Sequence, residues 1–160
     1  MMQRIHEAAA AFLANRRIAV TGVSRSNPRE HGSNTVYCRL RSLGYEVFAV
    51  NPNADSVEDD PCYPNLAAIP GGVEAVVIGT SPRHAEPTMH ECAALGIMHV
   101  WMHRSFGAGS VSTAATAYGR SQGISVIDGG CPLMFGQTAD GPHKLIRRVC
   151  TLMGTVPRSV

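Results

Sequence analysis

The segment after the first apolar stretch of the chain has residues that can bind a phosphate group. Residues 18–20 are apolar, the chain breaks at Gly22, and Ser24 and Arg25 then open a long polar loop. Glycine lets backbone approach a ligand closely, and N–H groups of such a loop and of the next helix can hold phosphate. The dinucleotide pattern G-x-G-x-x-G is incomplete, because Ser24 and Asn27 stand at its second and third glycines.

The residue after the second apolar stretch bears on which nucleotide the loop could serve. A nicotinamide site usually has Asp or Glu there to bind the ribose diol. This chain has Asn51 after Tyr45–Val50, and the first acidic residue, Asp55, comes later. A neutral side chain suits a ribose that carries a phosphate, which a carboxylate would repel. A small NAD(P)-dependent oxidoreductase remains the alternative.

Candidate catalytic side chains are few and scattered. Cys131 follows Gly129 and Gly130, and it is either a nucleophile or redox thiol helped by backbone N–H groups or a structural thiol. His103 is either a base or a polar wall residue. No Ser-His-Asp set, G-x-S-x-G elbow or Walker loop is found, and the histidine spacing indicates no metal site.

Charge and cysteine usage exclude several classes of protein. The net charge is +2 and no block of like charge occurs, so we expect no nucleic-acid partner. The chain has no run of 18 apolar residues, so the sequence predicts no membrane span. Five cysteines, an odd number with no C-x-x-C, favour free thiols in a cytoplasmic protein over a disulfide framework or zinc knuckle.

The elements that position these residues alternate between strands and helices. Short strands that are apolar throughout, separated by helices, predict an α/β fold with an open, doubly wound parallel sheet and helices on both faces. We expect one domain over 1–160, with 51–72 as loop around one short helical turn and Ser33 or Asn34 as a helix cap. The five predicted strands are 18–20, 45–50, 75–78, 99–102 and 125–127.

Ligands of such sheets bind outside the carboxyl ends of the strands. Small and hydrogen-bonding residues follow all five predicted strands, which predicts a ligand site at that edge. The candidate binding residues are Gly22, Val23, Ser24, Arg25, Asn51, Pro52, Thr80, Ser81, Pro82, His103 and Cys131.

Several segments of the chain resemble a known family. "IAVTGVS", "GYEVFAVNPN", "CYPNLAAIP", "VEAVVIGTSP", "LGIMHVWM" and "GCP" are similar, in order, to segments of the small CoA-binding domain proteins of bacteria. These resemble the nucleotide-binding domain of the succinyl-CoA synthetase alpha subunit. The similarity covers about residues 16–136 and implies a Rossmann-like fold that binds coenzyme A or an acyl-CoA.

The resemblance also implies roles for individual residues. Residues 22–24 would wrap the phosphates, Arg25 would meet a phosphate, and Asn51 and Pro52 would border the adenosine. Residues 80–82 would line the middle of the cleft and residues 101–103 its far wall, with Cys131 at the family's "CP". The chain differs from the family in carrying Gly79-Thr80-Ser81 where an arginine-bearing stretch is common, and His103 where glutamine is frequent.

The related synthetases use a phosphohistidine and further domains for their ligase chemistry. A chain of 160 residues has no room for those domains, so we expect a stand-alone binding or regulatory module rather than a self-sufficient enzyme. The partners to expect are a second copy of the chain or an acyltransferase or ligase subunit. A redox protein that uses Cys131 with CoA as its thiol partner is a further alternative.

Overall fold

A computed structural model describes residues 2–25, 32–104, 109–136 and 139–160. The helices are α1 (Ile5–Leu13), α2 (Gly32–Ser42), α3 (Pro82–Ala94), α4 (Thr113–Ser121) and α5 (Gly141–Leu152). The strands are β1 (Arg17–Thr21), β2 (Glu46–Val50), β3 (Ser56–Val57), β4 (Asp60–Tyr63), β5 (Ala75–Ile78), β6 (His99–Met102) and β7 (Ser125–Asp128). Two 3₁₀ turns lie at Leu66–Ala68 and Pro132–Met134.

The strands form one sheet in the order β3-β4-β2-β1-β5-β6-β7. β1 pairs in parallel with β2 on one side and with β5 on the other, so the chain reverses its direction of winding beside β1. β6 and β7 continue the parallel sheet beyond β5. The carboxyl ends of β1, β2 and β5 therefore meet at the switch point where open α/β sheets bind ligands.

Alternate residues of the central strands fill two cores, one on each face of the sheet. Ile18 and Val20 lie in the core that α1, α2 and Cys150 of α5 cover, whereas Ala19 lies in the core under α3 and α4. Burial of both faces explains why these strands are apolar throughout rather than alternating. The predicted doubly wound parallel sheet is confirmed.

The prediction of about five strands was wrong, since the part of the chain that the structure describes forms a sheet of seven strands. β3 and β4 lie within the segment that we expected to be loop, although the short turn expected there is present at Leu66–Ala68. β4 pairs with β2, with Ala49 opposite Cys62, and forms an antiparallel hairpin with β3. Proline and aspartate are depleted in strands. Asp60 and Pro61 pair only with β3, so the side of β4 that faces β2 needs no ladder bonds at these two residues.

Helix lengths bear on membrane insertion. None of the helices in the described part of the chain is long and apolar enough to span a membrane.

Candidate functional site

A cleft of about 350 Å³ opens at the carboxyl ends of β1, β2 and β5. It lies at the switch point of the sheet, between the ends of these strands and one side of α3. Its lining residues are Thr21, Gly22, Val50, Asn51, Pro52, Asn53, Pro64, Asn65, Leu66, Thr80, His84, Pro87, Thr88 and Glu91.

The floor of the cleft is formed where the backbone after β1 crosses the backbone after β5. Gly22 has φ +78°, and a Cβ there would lie 2.5 Å from the carbonyl oxygen of Gly79 and 2.9 Å from the nitrogen of Thr80. A Cβ at Gly79 would lie 2.6 Å from the carbonyl oxygen of Thr21. Only glycine permits this approach without a backbone shift.

Asn51 directly follows β2 and holds the loop that follows β1. Its Nδ2 donates to the carbonyl oxygen of Val23 at 2.9 Å, and its Oδ1 accepts the N–H of Asn53 at 2.9 Å. Val23 itself is fully buried, so its side chain faces the core and not the cleft. The side chain of Asn51 thus orders the loop as well as lining the cleft.

The next two residues of the loop turn away from the cleft. The N–H of Ser24 donates to Oδ1 of Asn34 at 2.8 Å. Arg25 lines a separate cavity of about 290 Å³ together with residues 56–59 of the β3–β4 hairpin. That hairpin contains Glu58 and Asp59, so Arg25 shares its cavity with two carboxylates.

One wall of the cleft is formed by one side of α3. His84, Pro87, Thr88 and Glu91 recur at helical spacing on one side of α3 and line the cleft. Glu91 also accepts the backbone N–H of Ala67 at 3.1 Å. His84 and Glu91 are thus the titratable side chains of this wall.

The start of α3 carries three candidate residues. Ser81 is the N-cap in extended backbone without a side-chain capping bond, and Pro82 occupies the first turn, where its missing N–H costs nothing. The hydroxyl of Thr80 is buried and has no hydrogen-bond partner among the described residues. Thr80 lines the cleft, whereas Ser81 and Pro82 lie next to it in the chain.

The ends of β6 and β7 have a different character. Burial, with a smaller effect from His143, lowers the pKa of His103 to about 4. A Cβ at Gly32 would lie 3.1 Å from Cε1 of His103, so this imidazole packs against the start of α2. Burial raises the pKa of Cys131 to about 12, and only 3% of the residue is exposed. A thiolate at Cys131 is therefore disfavoured at neutral pH.

Trp101 also belongs to this packed region. It is fully buried, and its indole N–H donates to the carbonyl oxygen of Gly129 at 2.8 Å. Its ring contacts Phe12 and Phe135 in the core. It does not line the cleft, in contrast to the far-wall position that the resemblance implied.

Comparison with known proteins bears directly on this cleft. A model of the family described as "CoA binding domain" matches residues 16–137, which include β1 to β7 and all the residues that line the cleft. The chain belongs to this CoA-binding domain family.

Two curated relatives are acetate–CoA ligases (ADP-forming) of Archaeoglobus fulgidus. Ligase II is 35% identical over 82 residues, which are 50% of this chain and 12% of that protein. Ligase I is 31% identical over 75 residues, which are 47% of this chain and 11% of that protein. The chain therefore spans only about an eighth of the length of these relatives.

Solved structures share the fold of the family. A hypothetical protein from Pyrococcus horikoshii OT3 superimposes with a TM-score of 0.71 at 23% identity, over 79% of this chain and 85% of that one. A conserved hypothetical protein from Pyrococcus furiosus gives 0.60 at 27% identity, over 69% and 90%. An acetyl-coenzyme A synthetase of Ca. Korarchaeum cryptofilum gives 0.55 at 21% identity, over 70% of this chain but 25% of its own.

The structure brings some predicted residues together in the cleft of this CoA-binding family member and separates others. Gly22, Asn51, Pro52 and Thr80 line it. Sequence reasoning did not include the α3 wall or residues 64–66 after β4 among the candidates. The spacing of residues 84, 87, 88 and 91 on one side of a predicted helix was the available signal for the wall, whereas residues 64–66 depended on the missed strand β4.

Proposed function

We propose that this chain binds coenzyme A or an acyl-CoA in the cleft at the ends of β1, β2 and β5. The proposal depends on one observation, which is that the family match and the cleft involve the same residues. The match to the CoA-binding domain family covers the residues that form an open cleft at the switch point of the sheet. Gly22 and Gly79 let the backbone after β1 pack directly against the backbone after β5, which forms the floor of this cleft.

The end of β2 supports CoA over NAD. A dinucleotide site would place a carboxylate there to bind the ribose diol. Asn51 stands in that place, and its amide is already bonded to Val23 and Asn53. A neutral, engaged amide leaves room for a ribose that carries a 3′-phosphate and does not repel it.

The chain acts as a binding module in this proposal, and any acyl transfer depends on a partner. Among the described residues that line the cleft, the titratable side chains are His84 and Glu91, and no cysteine is present. The curated relatives are named as ligases, and the chain spans about an eighth of their length. A ligase or acyltransferase partner fits this arrangement.

All five cysteines are free thiols, which agrees with a reducing, cytoplasmic setting.

Calorimetric titration of the purified protein with CoA, acetyl-CoA, dephospho-CoA and NAD tests the proposal. We expect CoA or acetyl-CoA to bind more tightly than NAD. The proposal would be overturned if NAD gave a heat of binding while CoA gave neither a heat of binding nor a shift in melting temperature. Native mass spectrometry provides an independent check, because a nucleotide that co-purifies is identified by its mass.

The Arg25→Ala variant tests whether a phosphate group of CoA extends beyond the cleft to contact Arg25. A charge-assisted hydrogen bond to the 3′-phosphate predicts a loss of about tenfold or more in CoA affinity and a smaller loss for dephospho-CoA. Equal losses point to the diphosphate as the partner. An unchanged affinity for both ligands would remove Arg25 from the site and leave it as a neighbour of Glu58 and Asp59.

A further inference from the structure

One buried side chain holds the loop after β1 against a distant part of the chain. Asn34, in the first turn of α2, is 2% exposed. Its Oδ1 accepts the N–H of Ser24 at 2.8 Å, and its Nδ2 donates to the carbonyl oxygen of Ser24 at 2.8 Å. The same Nδ2 donates to Oε1 of Glu58 at 2.8 Å. Asn34 thereby joins the loop to the tip of the β3–β4 hairpin.

The chemistry of these three bonds requires an amide. The N–H of Ser24 needs an acceptor oxygen, whereas the carbonyl oxygen of Ser24 and Oε1 of Glu58 need N–H donors. Asparagine supplies both at one side-chain end, and neither aspartate nor leucine, which have a similar size, can do so. Because Asn34 is buried, loss of a partner would leave a polar group unsatisfied.

The hairpin tip that receives the third bond is held in an uncommon conformation. Glu58 and Asp59 are consecutive non-glycine residues with φ +50° and +65°. Such residues persist where their surroundings hold them. Arg41 donates to the carbonyl oxygen of Glu58 at 2.9 Å, and Tyr37 donates to Asp60 at 2.6 Å. The tip is thus anchored to α2, which also carries Asn34.

Two asparagines, one in α2 and one directly after β2, therefore fix adjacent residues of the loop. Asn51 holds the carbonyl oxygen of Val23, and Asn34 holds both backbone groups of Ser24. We propose that Asn34 is a positioning residue, which keeps residues 22–25 after β1 in their ligand-ready conformation and makes that conformation depend on the β3–β4 hairpin. This inference rests on the proposed CoA site. An ordered loop spares the ligand the entropic cost of ordering it.

Asn34→Ala tests the inference with two independent measurements. We expect faster hydrogen–deuterium exchange of residues 22–25 in the unliganded variant, and a loss of about tenfold in CoA affinity measured well below its melting temperature. Asn15→Ala is the matched control. Nδ2 of Asn15 donates to the carbonyl oxygens of Ala11 and Phe12 at the end of α1, and Asn15 does not line the cleft. It should lower stability without either effect.

A pair of complementary substitutions provides a rescue. Asn34→Asp keeps the acceptor for the N–H of Ser24 but places a carboxylate against the carbonyl oxygen of Ser24 and against Glu58, so affinity should fall. Adding Glu58→Gln supplies an amide donor to the new carboxylate at position 34 and removes one negative charge. The double variant should recover part of the lost affinity, whereas a general folding defect would not be relieved by a second substitution.

The outcomes separate the two proposals. If wild-type protein does not bind CoA, the proposed function fails, and the exchange experiment still judges the positioning role. Unchanged exchange of residues 22–25 in Asn34→Ala would overturn that role. So would faster exchange with unchanged CoA affinity, because the loop order would then have no bearing on the ligand.

Discussion

The two halves of the carboxyl edge of the sheet differ, although both carry turn residues. The ends of β1, β2 and β5 surround an open cleft of about 350 Å³. The ends of β6 and β7 are packed, with Cys131 and the 3₁₀ turn that follows it buried in the core. Small and polar residues after a strand therefore indicate a ligand site only where the next segment leaves a gap.

The packed half is closed by the chain that follows it. A Cβ at Gly129 would lie 2.4 Å from the carbonyl oxygen of Thr155, so the residues after α5 lie directly against the end of β7. The N–H of Arg104 donates to the carbonyl oxygen of Gly130 at 2.8 Å, which ties the ends of β6 and β7 together. Glycines serve backbone packing here, whereas at Gly22 they also shape the floor of an open cleft.

The largest effect expected from a single substitution in this comparison is that of Gly22→Ala. The new Cβ would meet the backbone of Gly79 and Thr80 at 2.5–2.9 Å, at a residue with φ +78°. We expect a loss of more than about tenfold in CoA affinity and of roughly 1–3 kcal/mol in the free energy of unfolding. Calorimetry and thermal melts measure the two losses.

Gly96→Ala is the matched control for this substitution. Gly96 has φ +71°, but a Cβ there would meet nothing within 4 Å. It should show the left-handed backbone penalty and no change in CoA affinity. If the two variants behave alike, the close approach at the floor of the cleft has no functional weight.

The next effect is expected at His103, where stability should change with pH and CoA binding should not. Its pKa in the folded protein is lowered to about 4, so between about pH 6.5 and 4 the unfolded chain binds a proton that the folded protein does not. Stability should be fully present above pH 6.5 and fall by roughly 2–3 kcal/mol as the pH drops to 4. Denaturant titrations across this range measure the slope.

His103→Gln should remove most of that slope and leave CoA affinity at pH 7.5 unchanged. The carboxylates whose pKa is lowered, such as Asp60, lose their contribution only below the ordinary aspartate range, so their effect lies at more acidic pH. A variant that keeps the full slope would show that another group causes it. A variant that loses CoA affinity would place His103 in the ligand site.

The smallest effect is expected at Cys131. From the sequence alone, a mixed disulfide with CoA would form chiefly at this residue. Its burial and its pKa of about 12 instead predict that Cys62 and Cys38, which are partly exposed, react before it. Peptide mapping after treatment with CoA disulfide measures this order, and Cys131→Ser should leave CoA affinity unchanged. An adduct mainly at Cys131 would reverse this view and restore the redox alternative.

Part of the fold and of the cleft was predictable because the pattern is local. Apolar strands alternating with helices indicated the parallel sheet, and residues such as Gly22 and Asn51 stood out because they directly follow strands. β3 and β4 were missed because β4 depends on pairing with β2, and β3 on pairing with β4. A two-residue strand and an Asp-Pro segment give no local sign of either pairing. Asn34 was noted only as a helix cap, since its partners lie 10 and 24 residues away.

The sequence by itself determined the fold class, the family and the edge of the sheet at which we propose that a ligand binds, because hydrophobic periodicity and turn residues act over short distances. Only the tertiary structure decided which strand ends remain open. That choice depends on how α2, α3 and the segment after α5 cover the sheet, which is set by packing between residues far apart in the chain. The same packing left Gly22 and Asn51 at the cleft and buried Cys131 in the core.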